Sequence, residues 1–139
     1  MRNLVVWVLA WVLGLGLIIN GLAMLGLPAS WYAAVPGVAM TGPFNPHFVR
    51  DIGVAYVVAG AGLISYAVWP AARGAALAGA AFLALHAGVH LWDALAGREH
   101  PHQLLIDLPT VFLPPALALW IALAPAARGA ASKREGEAR

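Results

Sequence analysis

The sequence predicts an all-α protein, a four-transmembrane-helix antiparallel bundle with both termini in the cytoplasm. Three observations predict it. Of the 139 residues, 62% are hydrophobic and only 10% charged, against roughly 25% charged in an ordinary soluble domain. Apolar runs long enough to span a bilayer recur four times, at about 4–25, 46–69, 75–95 and 104–124. The links between them hold much of the Pro, Gly and charge. There is no cysteine, which removes disulfides, thiolate metal sites and cysteine nucleophiles together.

The first run, Leu4 to Leu25, has no charge and one strongly polar interruption, Asn20. At about 1.5 Å per residue it covers roughly 30 Å, the thickness of a bilayer core. Arg2 resembles the charged start of a signal peptide. The run nevertheless exceeds the roughly 7 to 15 apolar residues of such a segment, and no A-x-A cleavage pattern follows. Leu27 to Asn45 is rich in Pro and Gly and carries Trp31 and Tyr32. It is long for a connection and too apolar for a free loop, so it reads as a segment folded back on the bundle mouth, with one short interfacial helix near Ala29 to Ala34 and a lid-like position.

The second run starts on Asn45 and Pro46, a good N-cap followed by a proline at the first helical position, where its missing N–H has no intrahelical partner to lose. Pro70 stops it. Gly53, Tyr56 and Gly60 fall on one face, where small residues allow close helix approach. The short link at residues 70–74 makes helices two and three antiparallel neighbours, and Gly97 marks the end of helix three. Helix four contains Asp107, Pro109, Pro114 and Pro115, each proline an expected kink, with Pro109 freeing the carbonyl of Leu105.

Charge placement sets the orientation. The tail at 128–139, a mobile solvated segment by composition, holds Arg128, Lys133, Arg134 and Arg139 against Glu135 and Glu137, and so accounts for the whole net charge of +2. The remainder balances, which excludes a nucleic-acid face. Four spans put Arg2, Arg73 and the tail on one side with six of the eight Lys and Arg residues; by the positive-inside rule that side is cytoplasmic. The compact spans and the Ala, Gly and Arg-rich make-up point to a bacterial inner membrane, with the lipid bilayer as the first partner and a homo-oligomer or larger membrane complex as further ones.

The candidate site is His86-Ala-Gly-Val-His90-Leu-Trp-Asp93. At i, i+4 and i+7 these three polar side chains leave one helix face within about 60° of each other. Counted by depth, Asn20, Arg50, Asp51, His86, His90, Asp93 and Asp107 share the outer half, with His47, Glu99, His100 and His102 just above. The inner half is apolar. Charges at such depth cost about 2.5 to 3.5 kcal/mol each on insertion scales and are usually paired and functional, so the expectation is one four-sided polar cavity near the outer surface.

Its contents suit a divalent metal. His86 and His90 offer nitrogen, Asp93 or Asp107 offers oxygen, a remaining carboxylate orients an imidazole, and Arg50 is a charge partner. Zinc, copper and iron all fit those donors. Haem fits less well, because two axial histidines belong on facing helices. The alternative is a purely structural network of ion pairs and imidazole hydrogen bonds, as in a non-enzymatic accessory subunit of a membrane complex. A small-molecule or lipid-modifying enzyme using the same cavity is a third reading. No phosphate loop, serine elbow or H-E-x-x-H signature is present in the sequence, and no nucleophile or oxyanion donor stands out. Among the remaining residues, Asp51 also suits a helix N-terminus, Arg50 can reach headgroups, and Asn20 can bond between helices. The tryptophans Trp7, Trp11, Trp69, Trp92 and Trp120 read as interface anchors or lipid contacts.

The segment Asn45-Pro-His-Phe-Val-Arg50-Asp51-Ile-Gly53-Val-Ala-Tyr56, with Gly60, is similar to the second-helix Arg, Gly, Tyr, Gly pattern of the DoxX-like small four-helix membrane proteins. The resemblance implies an integral inner-membrane protein, some members of the group being subunits of oxidoreductase complexes. His86, His90 and Asp93 are not part of that pattern, and the resemblance implies no ligand for them.

Overall fold

The computed structural model describes residues 4–98 and 101–124. The expected tail at 128–139, together with Glu99 and His100, lies outside them. Among the described residues every regular element is helical: α1 Leu4–Gly26, α2 Pro28–Ala34, α3 Pro46–Val68, α4 Arg73–Leu95, α5 Pro101–Asp107 and α6 Leu113–Leu123. Short 3-10 turns stand at Val38–Met40 and Pro70–Ala72, and a π-helical turn at Leu108–Phe112 joins α5 to α6. Four helices are long and apolar enough to cross a membrane: α1, α3, the Pro70–Leu95 helix, and the composite His102–Leu123 helix.

The expected boundaries of the first two spans shift by a single residue at one end. Their ends have local causes. Asn45 caps α3, its side chain accepting from the backbone N–H groups of His47 at 3.0 Å and Phe48 at 3.2 Å, with Pro46 in the first turn. At the far end of α4, Gly97 adopts φ +69. Its N–H reaches Ala94 O, and that of Arg98 reaches Asp93 O at 2.9 Å, the paired bonds of a glycine-terminated helix end.

The prolines of the fourth span act differently from one another. Pro109 has no N–H to give. The chain answers by widening into the π turn, where Leu113 N–H bonds back five residues to Leu108 O and Thr110 Oγ1 donates to Ile106 O at 3.0 Å. Pro114 and Pro115 follow directly on the π turn, at the start of α6 and inside the composite helix, where each lacks the N–H that would bond back into the preceding turn.

The long helices pack as α1 on α3, α3 on α4, α4 on α6, and α6 back on α1. The buried face of α1 is Ala10, Gly14, Leu17, Gly21 and Met24, alternating steps of four and three residues that keep one seam on its neighbour. Opposite it stand Gly53 and Gly60 of α3, and the approach is so close that a Cβ built on Gly21 would come within 2.5 Å of Gly53 O. Tyr56 also reaches α4, its ring 5.5 Å from Phe82. The interior between the helices is mostly alanine with Leu17, Leu63, Leu83 and Ile121. Large side chains such as Leu4, Ile19, Val58, Leu85 and Leu95 are exposed, an apolar exterior that a lipid surround satisfies and water does not.

Candidate polar site

Polar contacts gather at both ends of the helices. At one end, Arg73 Nε donates to Ala122 O at 2.9 Å and Tyr66 OH to Ala124 O at 2.8 Å. These satisfy carbonyls that the end of α6 leaves without intrahelical donors. At the other end lies the candidate site.

His86 and His90, one turn apart on α4, meet edge to face with ring centroids 4.9 Å apart. Asp107, the last residue of α5, is 3% exposed. Its Oδ2 accepts from His90 Nδ1 at 2.9 Å, and its Oδ1 accepts from Gln103 Nε2 at 2.9 Å. A carboxylate removed from solvent needs such donors, since an unmatched one is strongly unfavourable. The chain of contacts extends both ways. The Gln103 carboxamide lies against Gly37, so close that a Cβ there would overlap it, and Gly37 holds φ +87. On the inner side, His86 stacks on Phe82 at 6.1 Å and 20° and meets the edge of Tyr56 at 5.9 Å.

The Leu27–Asn45 segment folds back over this end as expected, and specific bonds hold it there. The indole Nε1 of Trp31 donates to Asn20 Oδ1 at 2.9 Å. Tyr32 OH donates to Gly42 O, and its ring lies 5.1 Å from that of Phe44. The short helix starts at Pro28 and includes the expected 29–34 stretch.

Only part of the predicted constellation comes together. His86, His90 and Asp107 do. Asp93 is occupied by Arg98, whose NH1 donates to Oδ1 at 2.8 Å. Arg50 Nε donates to the last turn of α1, at Leu25 O, at 3.2 Å. Asp51 forms an exposed pair with His47 at 3.4 Å, also on α3. Asn20 serves the folded-back segment, and His102 stands on α5 with an exposed side chain. The expected four-sided cavity is thus a narrower contact of α4 with α5, and Gln103 is the member that the sequence reading missed. Its signal was present: Gln103 and Asp107 are spaced i, i+4, a pair that hydrogen-bonds on a helix.

For a metal, the donor set is incomplete. Among the described residues no group of three His, Cys, Asp or Glu side chains could hold an ion, and both oxygens of Asp107 are engaged. What the arrangement does chemically is fix a tautomer. With Nδ1–H given to Asp107, neutral His90 keeps Nε2 as a lone-pair nitrogen, as His residues backed by carboxylates do.

Compared with protein-family models, with curated proteins and with solved structures, the chain matches none. The fold's own features support one class, an all-helical, multi-pass membrane protein with a buried imidazole–carboxylate contact near one end of its spans.

Proposed function

We propose that this chain is a membrane-embedded binding protein whose His86–His90 pair takes a divalent cation of the zinc, copper or iron class, with Asp107 orienting His90 from behind. The helices run antiparallel, both termini lie in the cytoplasm, and the site occupies the outer half of a bacterial inner membrane. The observation that carries the reading is the 2.9 Å bond from His90 Nδ1 to Asp107, because it leaves Nε2 as the free donor beside a second imidazole. Two nitrogens from this chain leave coordination positions for water or a bound anion. The similarity to the DoxX-like pattern supports the membrane class alone.

The test is metal content of protein purified without a His-tag. Wild type is expected to carry stoichiometric metal at neutral pH, His86→Ala with His90→Ala to lose it, and Asp107→Asn to weaken affinity about tenfold or more. Wild type free of metal overturns the proposal. It would favour a second reading, a closed structural network in a non-enzymatic accessory subunit, which the full occupation of both Asp107 oxygens supports. For orientation, single cysteines at Arg98 and Ser132 are expected to label from opposite faces; labelling of Ser132 from outside reverses the assignment.

A further inference from the structure

The α3–α4 contact leaves a groove of about 560 Å³ on the exposed side of the helices, with Phe82, which also stacks on His86, in one wall. Ala59, Gly62 and Gly79, all buried, form its floor. Val54, Val58 and Phe82 wall it, and Asp51 stands at one end. From Asp51 to Ser65 the lining runs over a fifteen-residue stretch of α3, about 21 Å along the helix. One leaflet's hydrocarbon depth is about 15 Å, so the groove is long enough for a single extended acyl chain.

The residue at the mouth selects what enters. Asp51 has a side chain 61% exposed, and its one ion-pair partner among the described residues is His47, itself 87% exposed and 3.4 Å away. A carboxylate on the bilayer-facing side of a membrane helix calls for a cation, while the groove below it calls for hydrocarbon. We infer that the groove binds a phospholipid with a primary-amine headgroup, its ammonium donating to Asp51 and one acyl chain lying between Val54, Val58 and Phe82. An anionic headgroup is repelled there, and a quaternary amine has no N–H to give the carboxylate. The inference does not rest on the metal reading, although the groove's Phe82 also stacks on His86.

The test is native mass spectrometry of the full chain in detergent with an equimolar mixture of phosphatidylethanolamine, phosphatidylcholine and phosphatidylglycerol. Phosphatidylethanolamine is expected to be retained preferentially. Asp51→Asn is expected to lower that retention about threefold, the scale of one exposed ion pair, and not to lower retention of the anionic lipid, whose repulsion by the carboxylate it removes. Ala78→Leu, which fills an exposed part of the groove, is expected to lower retention of all three while helical content is unchanged. Equal retention of the three lipids by wild type, or no effect of Asp51→Asn, overturns the inference. So does a dimeric wild type that Ala78→Leu turns monomeric, because a second copy of the chain then fills the groove.

Discussion

Two contacts hold this protein's helices by opposite means. Where α1 meets α3, backbone approaches backbone, with Gly14 and Gly21 set against Gly60 and Gly53 and no side-chain hydrogen bond along the seam between those glycines. Where α4 meets α5, the link is His90 to Asp107 to Gln103, and the helix that carries Asp107 breaks its α-helical pattern one residue later. The first contact gains stability from dispersion across a close, regular seam, the main attraction left between helices surrounded by apolar lipid tails. The second joins a regular helix, α4, to an interrupted one and rests on matched polar groups. π-helical turns of this kind occur frequently at functional sites. A close-packed seam tolerates no added volume, whereas a polar contact tolerates a change of shape but not the loss of one partner.

The largest expected effect comes from adding volume to the seam. A Cβ on Gly60 would strike Gly14 O and crowd Ile18, whereas one on Gly16, also in the membrane span but facing outward, meets nothing within 4 Å. Gly60→Leu is expected to lower resistance to unfolding in detergent by about 3 kcal/mol. Gly16→Leu is expected to be neutral or slightly stabilising, since leucine is the better helix former. Equal losses from the two substitutions would show that the seam is not what holds α1 on α3.

A smaller loss is expected at the polar contact. Asp107→Leu removes the acceptor of both His90 and Gln103 and is expected to cost about 2 kcal/mol. Combining it with His90→Phe should cost less than the sum of the single changes, because the imidazole is then no longer left without its acceptor, and Gln103 loses its own acceptor equally in Asp107→Leu alone. The double-mutant cycle measures that difference, with a coupling of about 1 kcal/mol expected. A coupling indistinguishable from zero would mean that the two side chains do not depend on each other.

The same contrast explains what the sequence could show. Spans, caps and stops were legible because they depend on local chemistry: the uncharged run of α1, Asn45 before Pro46, and Gly97 after α4 all do in the structure what their residue types dictate. Direction around the helix was not. Residue counting groups Asp93, Arg50, Asp51 and Asn20 with His90, yet Asp93 turns to Arg98 and Arg50 to Leu25 O, because which way a side chain faces is set by the neighbouring helix. Pro109 announced a break, but whether the chain kinks or widens into a π turn depends on what packs beside it. Gln103 was overlooked because a neutral amide in a loop-like stretch carries no charge to draw notice.

The smallest effect is expected at the edge of the apolar region. Trp11 packs against the core, with its ring 5.9 Å from that of Trp7. Its Nε1 is buried without a hydrogen-bond partner. A buried donor left unpaired costs about 1 to 3 kcal/mol, and the indole's extra apolar area, which phenylalanine lacks, returns a similar amount. Trp11→Phe removes the orphan and the area together, so the unfolding free energy is expected to move by less than about 1 kcal/mol in either direction. Gly60 and Trp11 thus bracket the apolar side of the comparison, one position where a small addition is not tolerated and one where a substantial removal is. A loss above about 2 kcal/mol at Trp11 would mean that its N–H has an acceptor in the membrane, and that the apolar side holds a polar contact of its own.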